Sequence, residues 1–242
     1  MTMTHHDATH GVRLGRRAAL TGGAALAAAA LLRTARSAPP DAAPSFERLA
    51  ARWVELAGAL LEDPSAADEA RFVRRIDDLV SELPAAALPR RTRTVFDQGG
   101  LRSGPAWADG KTFLVELTLD PGTVIQAHNH PGFAVLTAVL EGEATCRHFE
   151  GDGELPPSTS RDPFPLREMR RLVMLPGRTS GLTRRRDNIH WFRAGEDGAT
   201  LLDFTTRIGG ADEGFSALEL SDAPRDAHRG IFEARWIGNP YK

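Results

Sequence analysis

Two histidines one residue apart, His128 and His130 in the string AHNHPG, are the side chains of this sequence best placed to do chemistry. On a strand, residues two apart share a face and stand roughly 6.5–7 Å from one another along the chain, so both imidazoles can reach one ion. Two ligands make a weak site, and a third has to come from elsewhere. His5, His6 and His10 lie at the N-terminus, and His228 sits in the polar stretch SDAPRDAHRG. His148 ends an apolar strand and reads as a core or surface residue. His190 opens a strand after a Pro-Gly turn, and in a small barrel that strand can lie across the interior from the first pair. Imidazole binds Fe(II), Ni, Cu and Zn alike, so geometry and supply decide which ion enters such a site.

The elements that must position these residues follow from periodicity. Beyond about Thr92 the pattern is period two, with strands expected at 93–96, 112–119, 123–127, 134–140, 144–149, 170–175, 189–193 and 200–205. Turn signals such as Asp120-Pro121-Gly122, Glu141-Gly142 and Pro176-Gly177 separate them. Many short strands at regular spacing indicate an all-β barrel or a two-sheet jelly roll. The segment 150–166, rich in Gly, Pro and Ser, reads as a mobile insertion near the barrel mouth. Upstream the period is helical. Phe46, Leu49, Trp53, Leu56 and Leu60 form one stripe, and Phe72, Ile76, Leu79 and Leu83 form a second that Pro84 stops. Ser65 with Asp68 reads as the N-cap between the two. No residue of this helical hairpin stands out as functional.

The N-terminus has the marks of an export signal. Arg16-Arg17 precedes an apolar run from Ala18 to Leu32, and small residues follow near Ala35 and Ser37. The run is shorter than the ~20 residues that span a bilayer, so it reads as a cleaved segment with no stable membrane insertion of the mature protein. The arginine pair resembles a twin-arginine signal, which implies the twin-arginine export machinery as a partner of the precursor and a periplasmic or secreted product. The expected organisation is a signal at 1–38, a linker with the hairpin at 39–90, and the barrel with its tail at 91–242. Of 30 basic and 32 acidic residues the signal takes five arginines and one aspartate, which leaves 25 and 31, a net charge of −6. That balance gives no sequence-wide drive toward nucleic acid. Cys146 is the single cysteine, which excludes an intramolecular disulfide.

The string PGTVIQAHNHPGFAVLTAVLEGE resembles the first cupin motif, and LPGRTSGLTRRRDNIHWFRA followed by ATLLDF resembles the second. The resemblance implies a double-stranded β-helix barrel and brings His190 to the same metal as His128 and His130. Most cupins add a glutamate five residues after the second histidine, but here that position is Val135. The strings HNHPG and DNIH, with Asp203 in LLDF, are similar to the thiol dioxygenases of the cysteamine dioxygenase and plant cysteine oxidase type, which bind iron with three histidines. The likeness covers roughly residues 90–206. Two features depart from it: TTRIGG stands where the family has Pro-Pro-Tyr, and the Cys–Tyr crosslink of animal cysteine dioxygenases has no counterpart.

That likeness implies Fe(II) as cofactor, O2 as co-substrate and a small-molecule thiol as partner. Cysteine, cysteamine, 3-mercaptopropionate and a peptide's N-terminal cysteine are all compatible with it. Three neutral imidazoles leave a divalent ion its full charge and open positions, and coordination there would lower a thiol's pKa. A C–C-cleaving cupin dioxygenase or a non-catalytic binding cupin would use the same triad. Asp203 follows His190 on the next strand, where it can accept a ring N–H, fix a water or point outward. Trp191 and Phe192 alternate, so one of them faces the cavity. Arg93 resembles the arginine that binds the substrate carboxylate in cysteine dioxygenases, with a solvated side chain as the alternative.

Overall fold

The computed structural model describes residues 44–62, 64–209 and 215–238; the expected signal segment lies outside them. Two helices come first, α1 (Phe46–Glu62) and α2 (Ala66–Ser81). Ser65 caps α2, its Oγ accepting the Asp68 N–H at 3.2 Å. The apolar stripes of the pair do not face water. Trp53, fully buried, packs on Trp107 and Phe204 and donates its indole N–H to Thr206 Oγ1 at 2.9 Å.

The ten strands are β1 (Phe96–Gln98), β2 (Leu101–Asp109), β3 (Thr112–Leu119), β4 (Val124–Asn129), β5 (Phe133–Gly151), β6 (Phe164–Met174), β7 (Thr179–Leu182), β8 (Ile189–Arg207), β9 (Ala217–Leu220) and β10 (Ile231–Gly238). They form one antiparallel sheet in the order β1-β2-β3-β8-β4-β9-β10-β6-β5-β7. A further β5–β8 pairing closes β8, β4, β9, β10, β6 and β5 into a ring. The core is therefore all-β, a double-stranded β-helix barrel, preceded by a helical hairpin. Closure leaves the ring itself without an edge, and the short strands β1 and β7 end the sheet.

The two long strands divide the molecule by parity. Ala134, Leu136, Ala138 and Leu140 of β5, with Leu202 and Phe204 of β8, face the hairpin in one apolar cluster. Their odd-numbered neighbours, among them Val135, Thr137, Val139, Leu201, Asp203 and Thr205, face the barrel interior. The helices thus cover one outer face of the sheet whose inner face carries the site.

Several expected boundaries move. The turn at Glu141-Gly142 and the break near residues 193–200 are bends inside continuous strands, made by register shifts at Val139/Glu141 and Gly142/Ala144. A bulge bends a strand without ending its ladder. Gly142 and Gly198 have φ of 72° and 80°, and a Cβ on Gly142 would lie 2.1 Å from the Gly198 carbonyl oxygen, so two close-packed glycines make the bend possible. The expected strand at 93–96 gives way to β1, which starts only at Phe96. It pairs with β2, whose Gly104 and Pro105 concealed it in the sequence; the proline sits beside a bulge. Segment 150–166 is not a free loop over the mouth: its last residues open β6 with Phe164 and Leu166 buried. Its middle is tied to β10 by Trp236 Nε1 donating to the Pro156 carbonyl at 3.0 Å and Arg161 donating to the Trp236 carbonyl at 2.7 Å. The tail supplies β9 and β10, which bridge β4 to β6 and complete the ring.

Candidate metal centre

The structure brings His128, His130 and His190 together by a route the sequence does not show. His128 on β4 and His190 on β8 are direct cross-strand partners, so the two come from adjacent strands and not from opposite walls. A register shift between Ile125 and His128 sets this pairing. His130 lies one residue beyond the end of β4, in the turn to β5, so its ring arrives from the strand end and not along a shared strand face. His190 Nε2 stands 3.0 Å from His128 Nε2 and 3.0 Å from His130 Nε2, and the ligand atoms of all three lie within 4.8 Å of one another.

This arrangement suits a cation. His128 Nδ1 is 2.8 Å from the Gln126 carbonyl oxygen, which can only accept, so the ring carries its proton on Nδ1 and points the Nε2 lone pair inward. Burial pushes His128 down to about 4. Burial, and then repulsion from neighbouring histidines, holds His130 and His190 well below the ordinary histidine range. With all three rings neutral, one proton on His190 Nε2 cannot serve two 3.0 Å contacts fully, and it leaves the buried His190 Nδ1 without a partner either way. A divalent ion satisfies three inward lone pairs at once. Imidazole nitrogens bind first-row ions at about 2.1 Å, and two such nitrogens at right angles around an ion stand about 3.0 Å apart. The residues therefore fit a metal ion, held by three histidines with no carboxylate in the group. Val135, five residues after His130, faces the barrel interior, buried and opposite Thr205.

The triad forms part of the wall of a cavity of about 410 Å³. Asp203 also lines it, and its Oδ1 accepts the Thr137 hydroxyl at 2.5 Å. Burial raises the Asp203 carboxyl to about 6. Its partner is thus a threonine and not a ring N–H. Phe192 faces the cavity, its ring 4.7 Å from that of His190, while Trp191 turns toward the Arg147 guanidinium. Arg93 does not join them: it precedes β1 with its side chain exposed and is not part of the cavity wall. Cys146 is buried, 3.7 Å from Ser180 Oγ, and burial pushes its thiol up to about 12, so it offers no ready thiolate.

No family model and no curated protein match the chain. Solved structures resemble parts of it. KdgF from Halomonas sp. aligns over 50% of this chain and 89% of its own, with 18% identity and a TM-score of 0.35. An uncharacterized Klebsiella pneumoniae protein with a double-stranded β-helix domain aligns over 56% and 94%, with 15% identity and a TM-score of 0.37. A recombinant oxalate oxidase solved with glycolate aligns over 49% and 55%, with 16% identity and a TM-score of 0.35.

Three residues of the site region went unnoticed in the sequence. Phe215, from the tail, lines the cavity with its ring 5.6 Å from that of His128. Asn188 accepts the His130 backbone N–H on Oδ1 at 2.6 Å and donates from Nδ2 to the Arg184 carbonyl. Glu69 of α2, fully buried, takes the Arg184 backbone N–H and guanidinium at 2.6 to 3.1 Å. A chain of contacts therefore runs from the hairpin through the 183–188 loop to a triad histidine. Glu69 had a readable signal: it falls on the same helical stripe as Phe72, Ile76 and Val80.

His148 is also buried, with His190 as its cross-strand partner, and Ser180 Oγ lies 2.6 Å from its Nε2. Burial, and then the Arg170 charge, pushes it down to about 4. A histidine depressed in the folded state binds fewer protons there than when unfolded, so its contribution is complete above about 6.5 and is lost as pH falls toward 4. Asp203 acts in the opposite sense, being raised from 3.8 to about 6. His128 and His148 are each displaced by about as much as Asp203, so the histidines set the sign. The metal-free protein will lose stability between pH 6.5 and 4, read as a falling urea midpoint. His148→Gln will flatten that fall, and an unchanged slope in this variant would exclude His148 from the effect.

Proposed function

We propose that the protein is an Fe(II)-dependent thiol dioxygenase that converts a small thiol into its sulfinic acid with both atoms of O2. The observation that carries this reading is the donor set: three neutral imidazoles, two buried and that of His130 partly buried, no carboxylate, and Val135 in the position where a glutamate would sit. A divalent ion held there would keep its full double charge, lowering the pKa of a bound thiol and holding sulfur and oxygen next to one another. The remaining work falls to the protein. Neutral rings bring no negative charge against an incoming thiolate, and the apolar wall formed by Phe192, Ile125 and Phe215 excludes water. Asp203 Oδ1 is engaged by Thr137, which leaves Oδ2 to receive the thiol proton. The reaction balances as written: sulfur gives up four electrons, the two oxygens accept them, and both remain in the sulfinate.

The test is oxygen uptake by the Fe(II)-loaded protein with a panel of thiols. One sulfinate formed per O2 consumed is the expected result. Uptake with a diketone or flavonol and none with thiols would overturn the reading in favour of a C–C-cleaving dioxygenase, and uptake with neither would leave a binding protein.

Export through the twin-arginine route is part of the same proposal, since that route carries folded, metal-loaded proteins. It rests on Arg16, Arg17 and the apolar run that follows them. Changing both arginines to lysine will strand the precursor inside the cell. Normal periplasmic accumulation of the double variant, measured by fractionation, would refute this export route and leave the enzyme reading untouched.

A further inference from the structure

The cavity beside the triad is built for a different kind of thiol from the short charged ones that the sequence suggests. Five of the chain's eleven phenylalanines line it: Phe96, Phe113, Phe133, Phe192 and Phe215. Leu101, Val115, Leu117 and Ile125 fill much of the remaining wall. Phe113 and Phe133 meet edge to face at 6.2 Å, and Phe133 in turn lies 6.3 Å from the His130 ring. The aromatic surface therefore runs continuously up to the metal ligands.

Charge is absent where a carboxylate would need it. Among the described residues, no lysine or arginine lines the cavity. Arg93 is exposed outside it, and the Arg207 guanidinium stacks over the Phe133 ring at 5.5 Å without joining the wall. The one acidic side chain of the wall is Asp203, which repels an anion. A carboxylate moved from water into such a space loses its hydration and gains no partner. An ammonium group finds one carboxylate, Asp203, and can reach only its Oδ2, the oxygen that the proposed reaction needs for the thiol proton. An aromatic or branched aliphatic group, by contrast, exchanges water for apolar surface over most of the wall, whose polar side chains are Ser103, Thr205, Asp203 and the triad. The volume of about 410 Å³ lies within the ~300–1,000 Å³ range of sites for drug-sized ligands, well beyond the needs of a three-carbon acid.

We infer that this cavity takes an uncharged, apolar ligand, an aryl or branched-alkyl thiol presenting its sulfur to the triad. The inference rests on the proposed function for the thiol, and on the cavity alone for the apolar body. The two separate in one experiment on the metal-loaded protein held without oxygen, with binding read by thermal shift and titration calorimetry. The probes are 2-phenylethanethiol, its oxygen analogue 2-phenylethanol, 3-mercaptopropionate and cysteamine. The expected result is that 2-phenylethanethiol binds at least tenfold more tightly than either charged thiol and that 2-phenylethanol binds measurably. Admission of oxygen then tests the chemistry. Consumption of 2-phenylethanethiol supports both readings; binding without consumption overturns the thiol dioxygenase and leaves the apolar site standing. Binding of 3-mercaptopropionate or cysteamine as tightly as 2-phenylethanethiol overturns the inference, and so does binding of none of the four.

Discussion

His190→Ala will purify without metal and remain folded. His190 Nε2 is the atom common to both 3.0 Å contacts of the triad, so its loss leaves two rings that no longer share a near neighbour. Removing an outer partner of a metal ligand costs roughly 10–100-fold in affinity, and loss of a ligand itself will exceed that. The fold has other support. The cluster between hairpin and barrel and the two clusters inside the ring contain no histidine, so the apolar core survives the substitution. The metal-free variant also sheds a crowded lone-pair contact between His190 and His128, which offsets part of the cavity left behind. Metal content by elemental analysis and secondary structure by circular dichroism are the two readouts. Unchanged metal stoichiometry and affinity would disprove the triad, and the proposed chemistry with it.

The sequence showed the ligand types and the hairpin because both are local patterns: AHNHPG is a spacing of two, and the helical stripes repeat within a few turns. Strand pairing is not local. That His128 and His190 are neighbours depends on β4 meeting β8 across sixty-odd residues of chain, with a register shift between Ile125 and His128 that no short pattern announces. The bends at Gly142 and Gly198 looked like strand ends because glycine with positive φ serves turns and bulges alike. The cavity's character was hidden for a similar reason. Its five phenylalanines come from five separate stretches of chain, one of them in the tail beyond β8, and converge only when the ring closes. Arg93 carried a role by resemblance alone, and its exposed position outside the cavity gives it no contact through which to play it. Glu69 lies in the first turn of α2, where an acidic residue favours the dipole and needs no other role to be there. Its position on the apolar stripe of α2 was the sign that it needed a buried partner.

That partner makes the hairpin part of the site, and Arg184→Ala is the variant that exposes the connection. Glu69 has no exposed surface, and the Arg184 guanidinium reaches it at 2.6 and 3.0 Å; Arg185 is its other cation, at 3.9 Å. Removing one member of a buried pair costs roughly 3–5 kcal/mol, and the 18% exposure of the Arg184 side chain places this case at the low end. The loop that Arg184 anchors is also where Asn188 takes hold of the His130 backbone N–H. Metal affinity should therefore fall by roughly 10–100-fold, the usual cost of losing an outer support. Two further variants separate positioning from packing. Asn188→Ala leaves the hairpin contact intact and should reproduce the metal loss with little change in the urea midpoint. The double variant Glu69→Leu with Arg184→Leu replaces the ion pair by apolar groups, which often restores stability, but it removes the acceptor for the Arg184 backbone N–H. It should regain most of the stability while metal affinity stays at least tenfold down. Recovery of both would mean that the pair only packs the hairpin against the barrel, and that the triad is held without it.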